Sequence, residues 1–166
     1  MEERSEKNLA ASFASESQAA ARNQAFAQKA DHEGNTGTAR LFRALAEAES
    51  VQARRYLMIL RGKIGSTREN LEAARRRVNQ TVKETYPLMI EEAGKEGLTN
   101  VETAFTQTLQ AKTSHETLIE KNSGGQSSER DPDYYVCQIC GFISESRAPE
   151  RCPICGAIPG KFKLIG

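Results

Sequence analysis

The sequence predicts a mainly α protein, an antiparallel four-helix bundle followed by a small metal module built on four cysteines. Three observations predict it. Long stretches rich in Ala, Gln, Glu and Lys, all strong helix formers, are separated by short glycine-containing breaks. With 38% hydrophobic residues and no Trp, the core must come from Ala, Leu, Val, Ile and a few Phe, which suits closely packed helices. All four cysteines fall in the last part of the chain, beyond the polar stretch NSGGQSSERDPD. A length of 166 residues accommodates one ordinary domain plus a small one stapled by metal. The expected boundaries are residues 1–121 for the bundle, 122–133 for a linker and 134–166 for the metal module.

The first helix is expected from about Arg4 to Glu33, a run without Pro or Gly, ended by Gly34-Asn35-Thr36-Gly37. A second runs from about Thr38 to Arg61 and is closed by Gly62 and Gly65. Thr67 caps a third, with Glu69 and Glu72 near its positive end, and Pro87 should kink or divide it. After Gly94 and Gly97, Thr99 or Asn100 caps a fourth helix that reaches about Lys121. Short connections between helices of similar length give an antiparallel bundle.

Positions three and four apart share a helix face, so each inward stripe can be read off. The stripes are Leu9, Phe13, Glu16 and Ala20; Leu45, Glu49, Gln52, Tyr56 and Ile59; Leu71, Ala74, Val78, Thr81 and Thr85; and Val101, Phe105, Thr108, Lys112, His115 and Ile119. Charged or amide side chains interrupt three of the four. Burying Glu16, Glu49, Gln52, Lys112 and His115 at one level is costly unless they satisfy one another or a bound ion. An internal salt bridge is expected, with the Lys112 ammonium in the space a metal would take, paired with Glu16 and Glu49 and hydrogen-bonded by Gln52 or His115. A Lys112 that instead runs out along its helix, or a single metal on Glu16, Glu49, His115 and the Gln52 amide oxygen, are the alternatives. His32 is read as a surface residue near a helix end.

The sharpest signal is YYVCQICGFISESRAPERCPICG. Cys137 with Cys140 and Cys152 with Cys155 form two C-x-x-C pairs, and each pair on a tight turn aims two sulfurs at one point. Gly141 and Gly156 follow the pairs and can take the positive φ that turns backbone N–H groups toward sulfur. Two disulfides are the competing reading, but the start MEERSEKNLAASF lacks the apolar core of a signal peptide, so the thiols are expected reduced in the cytoplasm. Geometry alone leaves iron and zinc both open. Tyr134, Tyr135, Ile139, Phe142, Ile154 and Phe162 are expected to shield the ion.

A formal net charge of +1 from 23 basic and 22 acidic residues provides no field for nucleic acid, and no apolar run reaches membrane-spanning length. Arg54-Arg55 and Arg75-Arg76-Arg77 read as solvated helix faces.

The segments NLAASFASESQAAARNQAFAQKADHEG and ETYPLMIEEAGKEG, with CQICG and CPICG behind them, resemble the rubrerythrin family over nearly the whole chain. The resemblance implies a ferritin-like bundle with a di-iron site that reduces hydrogen peroxide. It also implies a rubredoxin-like iron site that passes electrons to the bundle, and head-to-tail homodimers. It makes iron the expected ion at Cys137, Cys140, Cys152 and Cys155. Carried over by position, Glu16, Glu49 and His115 match family ligands. Gln52 stands where the family has His, Lys112 where it has Glu, and Val78 and Thr81 where it has carboxylates. Two carboxylates and one imidazole are too few for a metal pair, so the di-iron centre is expected to be absent. The expected function is therefore single-electron transfer through one four-cysteine iron, with an unidentified redox partner protein. A peroxide reductase with unusual ligands, and a zinc-bound structural or interaction module, are the alternatives.

Overall fold

The computed structural model describes residues 3–60, 62–123 and 132–166. Of the linker expected at 122–133, residues 124–131 lie outside the described residues. The chain divides into two compact units, residues 1–66 and 67–166.

The first unit is a helical hairpin of α1 (Glu3–His32) and α2 (Thr36–Ile59). The break is shorter than expected. The Gly34 N–H bonds the Asp31 carbonyl and the Asn35 N–H bonds the Ala30 carbonyl, which closes α1 within three residues, so Thr36 and Gly37 already belong to α2. The buried side chains of the two helices are alanines, Ala27 and Ala30 on α1 and Ala39, Ala46 and Ala53 on α2. Methyl side chains at seven-residue spacing let two backbones approach closely along a narrow seam. The Phe26 and Phe42 rings meet edge to face at 5.4 Å near the turn. The seam does not coincide with the stripe expected from the sequence. Leu45, Gln52 and Ile59 are exposed, because Ala46 and Ala53, one position along, take the places against α1.

The second unit contains α3 (Thr67–Gln80), a π-helical segment (Thr81–Thr85), α4 (Tyr86–Lys95) and α5 (Thr99–Ser123). Pro87 acts as expected, and the division falls just before it. A proline has no N–H to donate, and its ring collides with the carbonyl four residues back, here on Lys83; widening the preceding turn to π geometry relieves both. Val78 and Thr81 are buried beside this turn, and the Thr81 hydroxyl donates to the Arg77 carbonyl at 2.6 Å. Asn79 donates to Glu116 on α5 at 2.7 Å, and Tyr86 meets Phe105 edge to face at 5.9 Å.

After the linker, β1 (Tyr134–Cys137) is the central strand of a small antiparallel sheet. It is flanked by β2 (Ile143–Glu145) and β3 (Phe162–Ile165), with Val136 opposite Ile143 and Cys137 opposite Phe162. The sheet lies on α5. Lys121 reaches both Glu145 oxygens at 2.9 Å, and Leu118 and Ile119 share an apolar cleft with Tyr134, Val136 and Ile143. Among the described residues no helix is long and apolar enough to cross a membrane.

Candidate metal centre

Cys137 ends β1 and Cys140 follows one turn later; Cys152 and Cys155 repeat this arrangement before β3. The two halves match bond for bond. Gly141 N–H donates to the Cys137 carbonyl and Gly156 N–H to the Cys152 carbonyl, each at 2.9 Å. Cys137 N–H donates to Phe142 and Cys152 N–H to Ala157, each at 2.8 Å. Gly141 and Gly156 have φ of 76° and 74°, as the sequence predicts. Nothing lies within 4 Å of a Cβ added at either glycine, so a substitution there meets only backbone strain. Gly141→Ala is expected to cost about 1–2 kcal/mol, read as a lower unfolding temperature of the metal-loaded protein.

The four sulfurs lie within 4.8 Å of one another. Across the halves, Cys137 and Cys155 are 3.7 Å apart and Cys140 and Cys152 3.5 Å. A tetrahedral thiolate cage with metal–sulfur bonds of about 2.3 Å has edges of about 3.8 Å, so the set fits an ion at its centre. A disulfide needs about 2.05 Å, and all four cysteines are free thiols. The disulfide reading is set aside.

Electrostatics point the same way. Burial pushes the Cys140 thiol well above its ordinary pKa, although the Phe142 N–H, directed at that sulfur, pulls it down. Burial likewise raises Cys155 against the opposing Ala157 N–H. At Cys152 burial is outweighed by the N–H groups of Cys155 and Ile154, and the thiol ends below its ordinary value. One position favours thiolate and two resist it, a mismatch that a central cation removes by supplying positive charge to all four. Tyr134, Tyr135, Phe142, Ile154 and Phe162, expected as the shield, are half-buried. Ile139 is 61% exposed and does not shield the cage, whereas Ile154 at the matching position of the second pair is half-buried.

The bundle positions singled out by sequence divide between the two units. In the first, Glu16 and Glu49 are half-buried, and the Asn23 side-chain nitrogen donates to both Glu49 oxygens at 2.9 and 2.8 Å. Sequence reasoning missed Asn23, although it lies two turns beyond Glu16 on the same face. In the second, Val78 and Thr81 are buried, Lys112 is half-buried and His115 turns to the metal module. Its Nε2 lies 2.9 Å from the Gly141 carbonyl oxygen. Burial lowers the His115 pKa, the Gly141 carbonyl opposes this and the Lys112 charge adds to it, so the imidazole is held neutral.

Comparison with known proteins agrees with this architecture. The family profile described as Rubrerythrin matches residues 7–122, and that described as Rubrerythrin, rubredoxin-like domain matches residues 135–163. The chain is 34% identical over 170 residues to a rubrerythrin of Porphyromonas gingivalis, covering 92% of this chain and 85% of the relative. It is 29% identical over 161 residues to nigerythrin of Nitratidesulfovibrio vulgaris, covering 89% and 80%. Among solved structures it is similar to nigerythrin in its fully reduced, all-ferrous state, with a TM-score of 0.57 and 26% identity over 96% of this chain and 86% of that one. Helices and cysteine module are thus both accounted for, and the chain belongs to the rubrerythrin family, with a ferritin-like helical part and a rubredoxin-like C-terminal module.

Proposed function

We propose that this protein transfers single electrons through one iron held by Cys137, Cys140, Cys152 and Cys155, and that its helical part has lost the two-metal peroxide chemistry implied by the family. The observation that carries this reading is the contrast between the two sites. The four-thiolate cage is complete, with spacing that fits an ion. At the family's carboxylate positions stand a buried valine and a buried threonine whose hydroxyl is already used on the Arg77 carbonyl. Lys112 adds positive charge where a carboxylate would remove it, and Glu49 has found a neutral partner in Asn23.

Iron in the cage supplies one-electron chemistry, and the chain's own groups bias it. The N–H groups of Phe142, Ile154, Cys155 and Ala157 stabilise negative charge on sulfur, and the half-buried aromatic residues limit water. A reducing, cytoplasmic setting is proposed from the family and from a cysteine set spaced for metal. A homodimer is proposed from the family together with the exposed Leu41, Met58 and Leu88 on the helices, side chains that a second copy would cover. The domain limits 1–121 and 134–166 are retained as part of this reading.

Metal analysis tests it. Protein made in iron-replete cells, purified anaerobically and then oxidised, is expected to hold about one iron per chain and to show thiolate-to-iron absorption that a reductant bleaches. Close to three irons with peroxide turnover, or a colourless protein holding zinc, would sink the proposal.

A further inference from the structure

The hydrogen bond from α5 to the metal module ends on a particular peptide group. The Gly141 carbonyl accepts from His115 at 2.9 Å, and because a carbonyl can only accept, the imidazole must carry its proton on Nε2. The N–H of that same peptide unit belongs to Phe142 and is directed at the Cys140 sulfur. The carbonyl and the N–H are joined through a C–N bond with partial double-bond character. Drawing electron density toward the oxygen therefore leaves the N–H more polar.

The second half of the cage repeats the arrangement with a different donor. Arg151 Nη1 lies 3.3 Å from the Gly156 carbonyl, and the next N–H, from Ala157, is directed at Cys155. Arg151 is exposed and its contact is long, whereas His115 is half-buried on a helix and its contact is short. The better-fixed relay is the one through His115.

We propose that His115, freed from any metal-ligand role in the bundle, is a positioning and tuning residue for the rubredoxin-like site: its Nε2–H, acting through the Gly141–Phe142 peptide, strengthens the hydrogen bond to Cys140 and raises the site's reduction potential. The sign follows from charge. Reduction takes one electron from the donor used in the titration and converts ferric to ferrous iron, adding one unit of negative charge to a four-thiolate cage. A stronger donor at sulfur favours the more negative state. The inference rests on the proposed iron chemistry of the four cysteines.

The test is a spectroelectrochemical titration of iron-loaded protein. Polarisation through one amide strengthens the next hydrogen bond by roughly 10–30%, so His115→Ala is expected to shift the reduction equilibrium about threefold toward the oxidised form, about 28 mV for a one-electron couple. His115→Gln, whose amide can donate to the same carbonyl, is expected to recover at least half of the shift, and Arg151→Ala to give a smaller one. In zinc-loaded wild-type protein, long-range proton–nitrogen NMR is expected to show the His115 proton on Nε2. An unchanged potential in His115→Ala, a Gln variant no better than Ala, or a proton on Nδ1 would each overturn the relay. If His115→Ala does not fold, the Gln variant and the NMR measurement decide alone. A wild-type site that takes no iron, or iron that does not cycle, would instead refute the electron-transfer reading, and the zinc form would still report on the hydrogen bond.

Discussion

Cys152→Ala is expected to abolish metal binding and to unfold residues 134–165 while the helices remain folded. Cys137 and Cys152 are the only described side chains of the C-terminal module that are buried; the sheet has strands of three or four residues and no large apolar side chain inside it. Below roughly 40 residues, burial alone does not offset chain entropy, so the ion must contribute the difference. Structural four-ligand sites contribute about 10–16 kcal/mol of apparent binding energy, and losing one thiolate forfeits a large part of it. Cys152 is the severe choice because backbone N–H groups already favour its thiolate, which makes it the ligand best prepared to meet a cation. Metal content per chain, with amide hydrogen exchange resolved by segment, checks the result. Loss of protection should stop at the linker. A variant that keeps its metal and its slow amides in β1 would show that three cysteines suffice.

The same module shows why part of the molecule was legible from sequence and part was not. Two C-x-x-C-G segments encode a local geometry: the pair spacing sets the turn, the glycine permits its positive φ, and the bonds shared by the two turns lie within six residues. Helix existence was legible for the same reason, and so was the effect of Pro87, because ring and missing N–H act on the adjoining turn. The inward faces were harder. The periodicity of α2 is compatible with Leu45 or with Ala46 against α1, and only the close approach of two backbones selects alanine. The partners of Glu49 and His115 were not legible either. Asn23 and Gly141 are each 26 positions away, and nothing local marks a backbone carbonyl as the terminus of a histidine bond.

Placing carboxylates and a histidine at the positions matched to the family's ligands gives the other large effect. The combined variant Gln52→His, Val78→Glu, Thr81→Glu and Lys112→Glu is expected to be destabilised without metal and to regain stability when ferrous iron is added anaerobically. Val78 and Thr81 are 7% and 8% exposed, so each new carboxylate enters a site with little water. An unpaired buried charge of this kind costs about 3–5 kcal/mol, unless the group stays protonated. Thr81→Glu also removes the hydroxyl that satisfies the Arg77 carbonyl beside the π turn. Lys112→Glu changes the local charge by two units and the two other glutamates by one each, so the added negative charge calls for cations. Metal that binds only the folded form then stabilises it in proportion to the logarithm of its concentration over the dissociation constant, so the melting temperature should climb with added iron in the variant. In the wild type the helices should show no such dependence. Iron content should rise from about one to about three per chain. If the variant folds but takes up no iron beyond the four-cysteine site, the positions matched to the family's ligands do not converge, and the proposed loss of the two-metal site must be rebuilt on a different register.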